Sequence, residues 1–333
     1  MCRWLIYSGE KTDLKSILWT PTNSIFKQTY KKPYTPFVTK LNKRDHPINV
    51  DGFGIVWYDL KKNHVYMYKN DQTPWSDQNI LNLSEYIKSK LIFSHIRAIK
   101  PFSQNSIVNY QNCHPFYYRN FTWMHNGDIK SVIKLQKYVY QHCQKTIIQN
   151  IKGNTDSEYL FAILLHQLCL ISPSQQQFSL RYLKQAFLRT IQKTLELVQD
   201  EVCSLNIAFT DGKNIICSRF INTTKENPPS LYSTLVKMQM PSSSTEHATV
   251  NDPFGVLMTP SGGSFLSAPK TMPKDLGLPT TDVELGKVLE ERAANEDTAD
   301  PKTRSKGSID GHAIDATKAC EKGGDDEKAG KDI

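Results

Sequence analysis

No Trp or Tyr occurs after Tyr232 in this chain of 333 residues, and beyond it the only aromatics are Phe254 and Phe265. A core needs large apolar groups to bury, so a packed domain is expected over residues 1–236 and not over 237–333. No apolar run approaches the roughly 20 residues of a membrane span. The stretch Trp4–Tyr7 is too short for the apolar centre of a signal peptide. The seven cysteines are widely spaced and contain no CxxC pair, which argues against a zinc ribbon or a disulfide framework. Free thiols fit a reducing compartment, and the expected location is the cytoplasm. No internal repeat is present. The basic pairs Lys31–Lys32, Lys43–Arg44 and Lys61–Lys62 are scattered, without the organisation of a nucleic-acid-binding motif.

What is there divides at the same place. The last 97 residues hold 12 Lys or Arg against 17 Asp or Glu, a net of −5, which leaves +13 of the overall +8 for residues 1–236. A basic domain attracts anions. From Pro241 onward the chain is rich in Ser, Thr, Pro, Gly, Lys and Asp, a composition expected to be largely disordered, with at most a short helix near Val283–Ala294. The front part alternates strand and helix signals. Strands are expected at Cys2–Tyr7, Phe53–Tyr58, His64–Lys69, Leu91–His95, Phe121–His125, Leu205–Thr210 and Asn214–Arg219, the last two joined by a turn at Asp211–Gly212. Helices are expected at Asp77–Lys88, Ile129–His142, Asp156–Leu170 and Leu180–Val198. The third opens on Thr155-Asp156-Ser157-Glu158, a capping-box pattern, and its Leu160, Leu164, Leu165 and Leu168 fall on one stripe.

Four positions carry chemistry. Cys2 becomes the first residue once Met1 is removed, and cysteine is small enough for that processing. A thiol has a reference pKa of about 8.5 and an α-amine about 7.7–8.0, so a terminal amine can take the proton of its own side chain. Position alone leaves Cys2 as simply the residue after the initiator, but a strand over Trp4–Tyr7 would hold it on a rigid element. Arg97 ends the block Ser94-His95-Ile96-Arg97 and presents a planar fork suited to a carboxylate; it is equally a residue for a surface ion pair. Asn126 and Gly127 follow an apolar strand. They read either as a turn or as an oxyanion pair made of a side-chain amide and a backbone N–H. Asp156 is a helix-capping anion or an acceptor for a substrate ammonium. Jointly these residues make a reader of an α-amino acid whose side chain ends in a carbonyl.

The blocks Met1-Cys2-Arg3-Trp4-Leu5, Asn49-Val50-Asp51-Gly52-Phe53-Gly54, Ser94-His95-Ile96-Arg97-Ala98, Asn112-Cys113-His114-Pro115-Phe116, Met124-His125-Asn126-Gly127 and Thr155-Asp156-Ser157-Glu158 resemble class II glutamine amidotransferases of the Ntn-hydrolase superfamily. More narrowly, together with Trp75-Ser76-Asp77-Gln78-Asn79-Ile80 and Leu205–Gly212, they resemble the amidotransferase-like subunits of Dug-type glutathione-degradation complexes, over residues 1–233. The resemblance implies an α+β fold, a four-layer αββα sandwich with two antiparallel sheets. It implies Cys2 as nucleophile, Asn126 and Gly127 as oxyanion donors, Arg97 for the substrate α-carboxylate and Asp156 for its α-ammonium. His114 is expected to shape the site wall, and Cys113 to pack. The implied reaction is hydrolysis of a γ-glutamyl amide, with glutathione as substrate, no metal or cofactor, and a metallopeptidase-like partner subunit. Hydrolysis is preferred over ammonia transfer because the remaining residues do not read as a synthetase domain. The alternatives are a glutamine-hydrolysing subunit and an inactive, shortened scaffold. Two departures bear on these expectations. Val50 stands where the family has Gly, a residue that takes positive φ easily. The family's further strands after the Ser230-Leu231-Tyr232 region have no counterpart in the sequence pattern, so the last strands of one sheet are expected to be missing or replaced.

Overall fold

The computed structural model describes residues 2–30, 49–99, 108–172, 177–225, 228, 231–235 and 255–259. Strand β1 (Arg3–Asp13) shows why the fold is layered. Leu5 and Tyr7 face one way, Trp4 and Ile6 the other, and all four are buried. Both faces of such a strand must be covered. It lies inside a six-stranded sheet of order β3-β2-β4-β1-β10-β9, formed with β2 (Phe53–Asp59), β3 (His64–Asn70), β4 (Lys88–Ile96), β9 (Tyr232–Leu235) and β10 (Gly255–Thr259). Pairing is antiparallel from β3 to β1 and parallel from β1 through β10 to β9. The second sheet, β5 (Phe116–Tyr118), β6 (Phe121–Asp128), β7 (Ser204–Thr210) and β8 (Ile215–Ser218), is antiparallel throughout.

Three apolar clusters separate four layers. Helices α1 (Leu14–Leu18) and α2 (Gln78–Tyr86) cover the outer face of the first sheet, where Leu14, Ile17, Leu18 and Ile80 meet Leu5, Phe53, Ile55 and Ile92. Trp4, Ile6, Val56 and Phe93 meet Met124, Ala208 and Ile215 between the sheets. On the outer face of the second sheet, Trp123, Ile207 and Phe209 meet α3 (Val132–His142), α4 (Lys145–Asn150), α5 (Asp156–Ile171) and α6 (Leu180–Val198). This is the expected α+β sandwich.

Several details differ from the sequence expectations. β10, which pairs with β1, falls inside the stretch expected as tail, so that stretch supplies a strand to the first sheet; the rest of it, including Val283–Ala294, lies outside the described residues. Positive φ in the 49–54 loop falls on Gly52 (+106°) and not on Val50, so the departure at Val50 costs the loop nothing. Helix α5 is buried almost all round, not along one stripe, because it lies under α3 and α6 as well as on the sheet. Its capping box is half kept. Thr155 Oγ1 accepts the Glu158 N–H at 3.3 Å, while the Glu158 carboxylate accepts the N–H groups of Lys152 (2.9 Å) and Gly153 (2.8 Å). Helix α1, α4 and β5 carried too short a period to be read.

Asp77 fastens the outer helix to the sheet. It caps α2 by accepting from Asn79 N and Ile80 N, and its other oxygen accepts from Tyr68 Oη (2.6 Å) and Asn70 Nδ2 (2.7 Å) on β3. Burial raises its carboxyl, but these four bonds outweigh it and hold the group below the usual range. Asp77→Ala removes a cap and orphans two side-chain donors, and is expected to lower the unfolding free energy by about 2–3 kcal/mol. Urea denaturation checks this; a loss below about 0.5 kcal/mol contradicts the assigned role.

Candidate active site

The site is built from rows of inward-facing residues across the first sheet. Register pairs Gly54 with both Lys69 and His95, and His95 with Trp4, so Lys69, Gly54, His95 and Trp4 form one row. The next inward row, one step beyond the strand ends, holds Gly52, Arg97 and Cys2. Arg97 N–H donates to Gly52 O at 2.8 Å, and Ala98 N–H donates to Cys2 Sγ at 3.3 Å. Asp51 Oδ2 accepts the Ile99 N–H at 2.7 Å, which fixes the 97–99 segment against the 49–54 loop. Cys2 and Arg97, far apart in sequence, are thus neighbours. Arg3 points outward and is buried, with Nη1 donating to Gln28 O at 3.0 Å. Burial lowers its guanidinium to about 10 while the charge at Cys2 acts to raise it.

Asn126 and Gly127 are not a turn. They lie within β6 and pair with Asn206 and Leu205 of β7. A Cβ on Gly127 would stand 1.7 Å from Ser204 O, so glycine is required by close backbone approach and not by its φ, which is ordinary. Asn126 is 1% exposed, and its Nδ2 has no hydrogen-bond partner. Asp156 Oδ2 accepts the Ile129 N–H at 2.9 Å, and its Oδ1 accepts from Ser157 N and Oγ. The N-terminus of α5 is thereby fastened two residues beyond Gly127. His125 reinforces the junction, with Nε2 donating to Ser204 O at 2.9 Å and Nδ1 2.9 Å from Ser157 Oγ.

These two halves lie at one end of the sandwich. Tyr58 Oη and Thr122 Oγ1, 2.5 Å apart, bond the sheets together. Gly54 is four residues before Tyr58 and Asn126 four residues after Thr122, so each lies about 13 Å along its strand from that bond, at the 3.3 Å rise of a strand. At the same end the His95 ring faces the backbone of His125. Across Gly54 the gap is closed by the His114 backbone: a Cβ there would stand 2.1 Å from His114 O. The His114 ring lies 4.2 Å from that of His95 and 4.6 Å from that of Phe116. Cys113 Sγ sits against Gly52, and burial pushes its thiol up to about 11, which leaves it inert beside Cys2. Lys69, His95 and Asp51 were given no role by the sequence; nothing in a strand's alternation marks Lys69 as different from a solvent-facing lysine. Among the described residues no group of three or more His, Cys, Asp or Glu is arranged to hold a metal ion, and no helix is long and apolar enough to cross a membrane.

His95 and His114 are buried, and neither ring nitrogen of His114 has a hydrogen-bond partner. Burial lowers His95 to about 3 and His114 well below its ordinary value; the charges of Arg97 and Lys69 act in the same direction, while the bond to the His125 backbone acts to raise His95. Both stay neutral in the fold at pH values where the unfolded chain, with histidine near 6.5, takes up protons. Stability is therefore intact above about pH 6.5 and falls below it, by up to about 1.4 kcal/mol per pH unit for each ring. Urea denaturation between pH 7.5 and 5 is expected to show a slope that is shallower in His114→Leu; an equally steep slope in that variant contradicts the assignment.

Residues 33–260 match the sequence profile of the family described as glutamine amidotransferases class-II. The matched span begins after Cys2, contains Arg97, Asn126, Gly127 and Asp156, and ends one residue past β10. A protein of Saccharomyces cerevisiae (strain ATCC 204508 / S288c) named "Probable glutamine amidotransferase DUG3" is 33% identical over 249 residues, which cover 70% of this chain and 67% of that protein. Among solved structures, a glutamine aminotransferase class-II domain protein from Silicibacter pomeroyi is 23% identical, with a TM-score of 0.43, covering 67% of this chain and 79% of that one. With the profile spanning more than half of its length and a relative above 30% identity, the chain belongs to the class-II glutamine amidotransferases.

Proposed function

We propose that this protein is an N-terminal-cysteine amidohydrolase that cleaves γ-glutamyl amide bonds, with glutathione as its substrate. The observation that carries the reading is the thiol of Cys2, held by the Ala98 N–H beside Arg97, at the same end of the sandwich as a buried Asn126 Nδ2 that has no partner. A buried donor without an acceptor is costly to a fold, and an oxyanion formed during the reaction would satisfy it.

In this reading Met1 is removed and the α-amine of Cys2 accepts the thiol proton. The thiolate attacks the γ-carbonyl, and Asn126 Nδ2 with the Gly127 N–H stabilises the oxyanion. Collapse of the tetrahedral species breaks the C–N bond, and the leaving amine takes the proton from the α-ammonium. Water then attacks the γ-glutamyl thioester, which releases glutamate and restores the thiol. Arg97 grips the α-carboxylate. Asp156 has used three acceptor positions on backbone and hydroxyl donors, and a carboxylate offers about four, which leaves room for the substrate ammonium. Glutathione as substrate, a metallopeptidase-like partner subunit and a cytoplasmic location are supported by the resemblance of the sequence blocks to Dug-type subunits.

The test is glutamate release from glutathione and from glutamine, by the full chain alone and with its partner. Glutathione is expected to be preferred. Cys2→Ala is expected to abolish release and also labelling by a γ-glutamyl diazoketone, and Asn126→Ala to lower kcat roughly 100–1,000-fold. Preference for glutamine would reassign the protein as a glutamine-hydrolysing subunit. A folded protein that never labels, or one that retains Met1, would remove the reading.

A further inference from the structure

Lys69 is the charge that the scheme above leaves unused. It is half-buried on the edge strand β3, in the inward row of Gly54 and His95. Its Cγ lies 3.1 Å from where a Gly54 Cβ would stand, so its stem enters the gap that also admits the His114 backbone. Its Nζ lies 4.7 Å from the centroid of the Phe116 ring. No carboxylate among the described residues comes within 4.0 Å of it. Glu158 acts on it electrostatically, but both oxygens of Glu158 already accept backbone N–H groups of Lys152 and Gly153. Burial lowers Lys69 to about 8, the mark of an ammonium that has lost water without gaining an ion partner. Next to it stand His95 and His114. A neutral imidazole carries one N–H donor; the His95 ring is engaged with the backbone of His125, while neither nitrogen of the His114 ring has a partner. A cation and an N–H donor, buried together without an ion partner, are a binding set for a carboxylate.

We propose that Lys69, with the imidazole of His114 beside it, is a subsite for the carboxylate at the far end of the leaving group of a γ-glutamyl peptide. This rests on the amidohydrolase reading above and extends it to specificity. Glutamine leaves as ammonia and has nothing to offer the subsite, whereas a γ-glutamyl dipeptide amide ends in a carboxylate. Reach is consistent. Three strand spacings separate β1 from β3, about 14 Å. A two-residue leaving group spans about 7 Å, and the four-carbon stem of Lys69 covers the remainder.

The experiment measures binding, so that it does not depend on turnover. Full-length Cys2→Ala is titrated calorimetrically with glutathione and with its glycine ethyl monoester, which lacks only the far carboxylate. Glutathione is expected to bind roughly tenfold tighter than the ester. In Cys2→Ala/Lys69→Met and Cys2→Ala/Lys69→Gln that ratio is expected to fall below about twofold, with thermal unfolding used to verify that both variants are folded. Equal affinity for acid and ester in Cys2→Ala overturns the subsite, as does a ratio that persists in both Lys69 variants, or no binding of either ligand. Should both Lys69 variants unfold, the acid-to-ester ratio in Cys2→Ala decides alone. Discrimination without glutamate release by the unmutated protein would keep the subsite and sink the amidohydrolase reading; equal affinity for acid and ester in Cys2→Ala, with release from both by the unmutated protein, would do the reverse.

Discussion

Two apolar sheet faces pressed together leave no room for polar side chains unless some residue gives up its own. At Gly54 the missing Cβ lets the His114 carbonyl descend onto the first sheet; at Gly127, on the helix-facing side of β6, it lets the Ser204 carbonyl of the neighbouring strand come close. The approach at Gly54 helps to turn one end of an otherwise oily layer, filled elsewhere by Trp4, Ile6, Val56, Phe93 and Met124, into a polar site. The rest of the geometry follows. His114 reaches His95, His95 faces the backbone of His125, and Asn126 follows on the same strand.

Burial at this end works differently on each kind of group. Imidazoles and the Cys113 thiol are driven to their neutral forms, because the low-dielectric layer penalises charge. The cations Lys69 and Arg97 stand near them, and Asp156 stands at the α5 terminus with its carboxylate tied to backbone donors.

Much of the scaffold was legible because it obeys local periods. Helix α6 spans Leu180–Val198, as the spacing of its apolar residues predicts, and the strand cores at 53–58, 64–69 and 205–210 are found where alternation put them. Of the site, the residue types were legible and their surroundings were not. Asn126–Gly127 carries a local turn signal, yet pairing with Leu205–Asn206 draws it into a strand, so a long-range ladder overrides a short-range preference. Lys69 reads as an ordinary exposed strand residue; only the register Gly54↔Lys69 and the approach of Phe116 reveal what it faces. Strand β10 was invisible, because five residues in a polar stretch have too little period to stand out.

The sequence by itself determined what depends on neighbours within a few residues: which segments are helix or strand, the cap at Thr155, and which side chains can act as nucleophile, donor or ion. Tertiary structure alone decided which of those side chains meet. Cys2 lies beside Ala98 across 96 positions of chain, and Ile129 beside Asp156 across 27. Such meetings are set by strand register and by the absence of a Cβ at two glycines, and a one-residue slip would turn every one of these groups to the opposite face. That information lies in the packing between segments and not within any one of them.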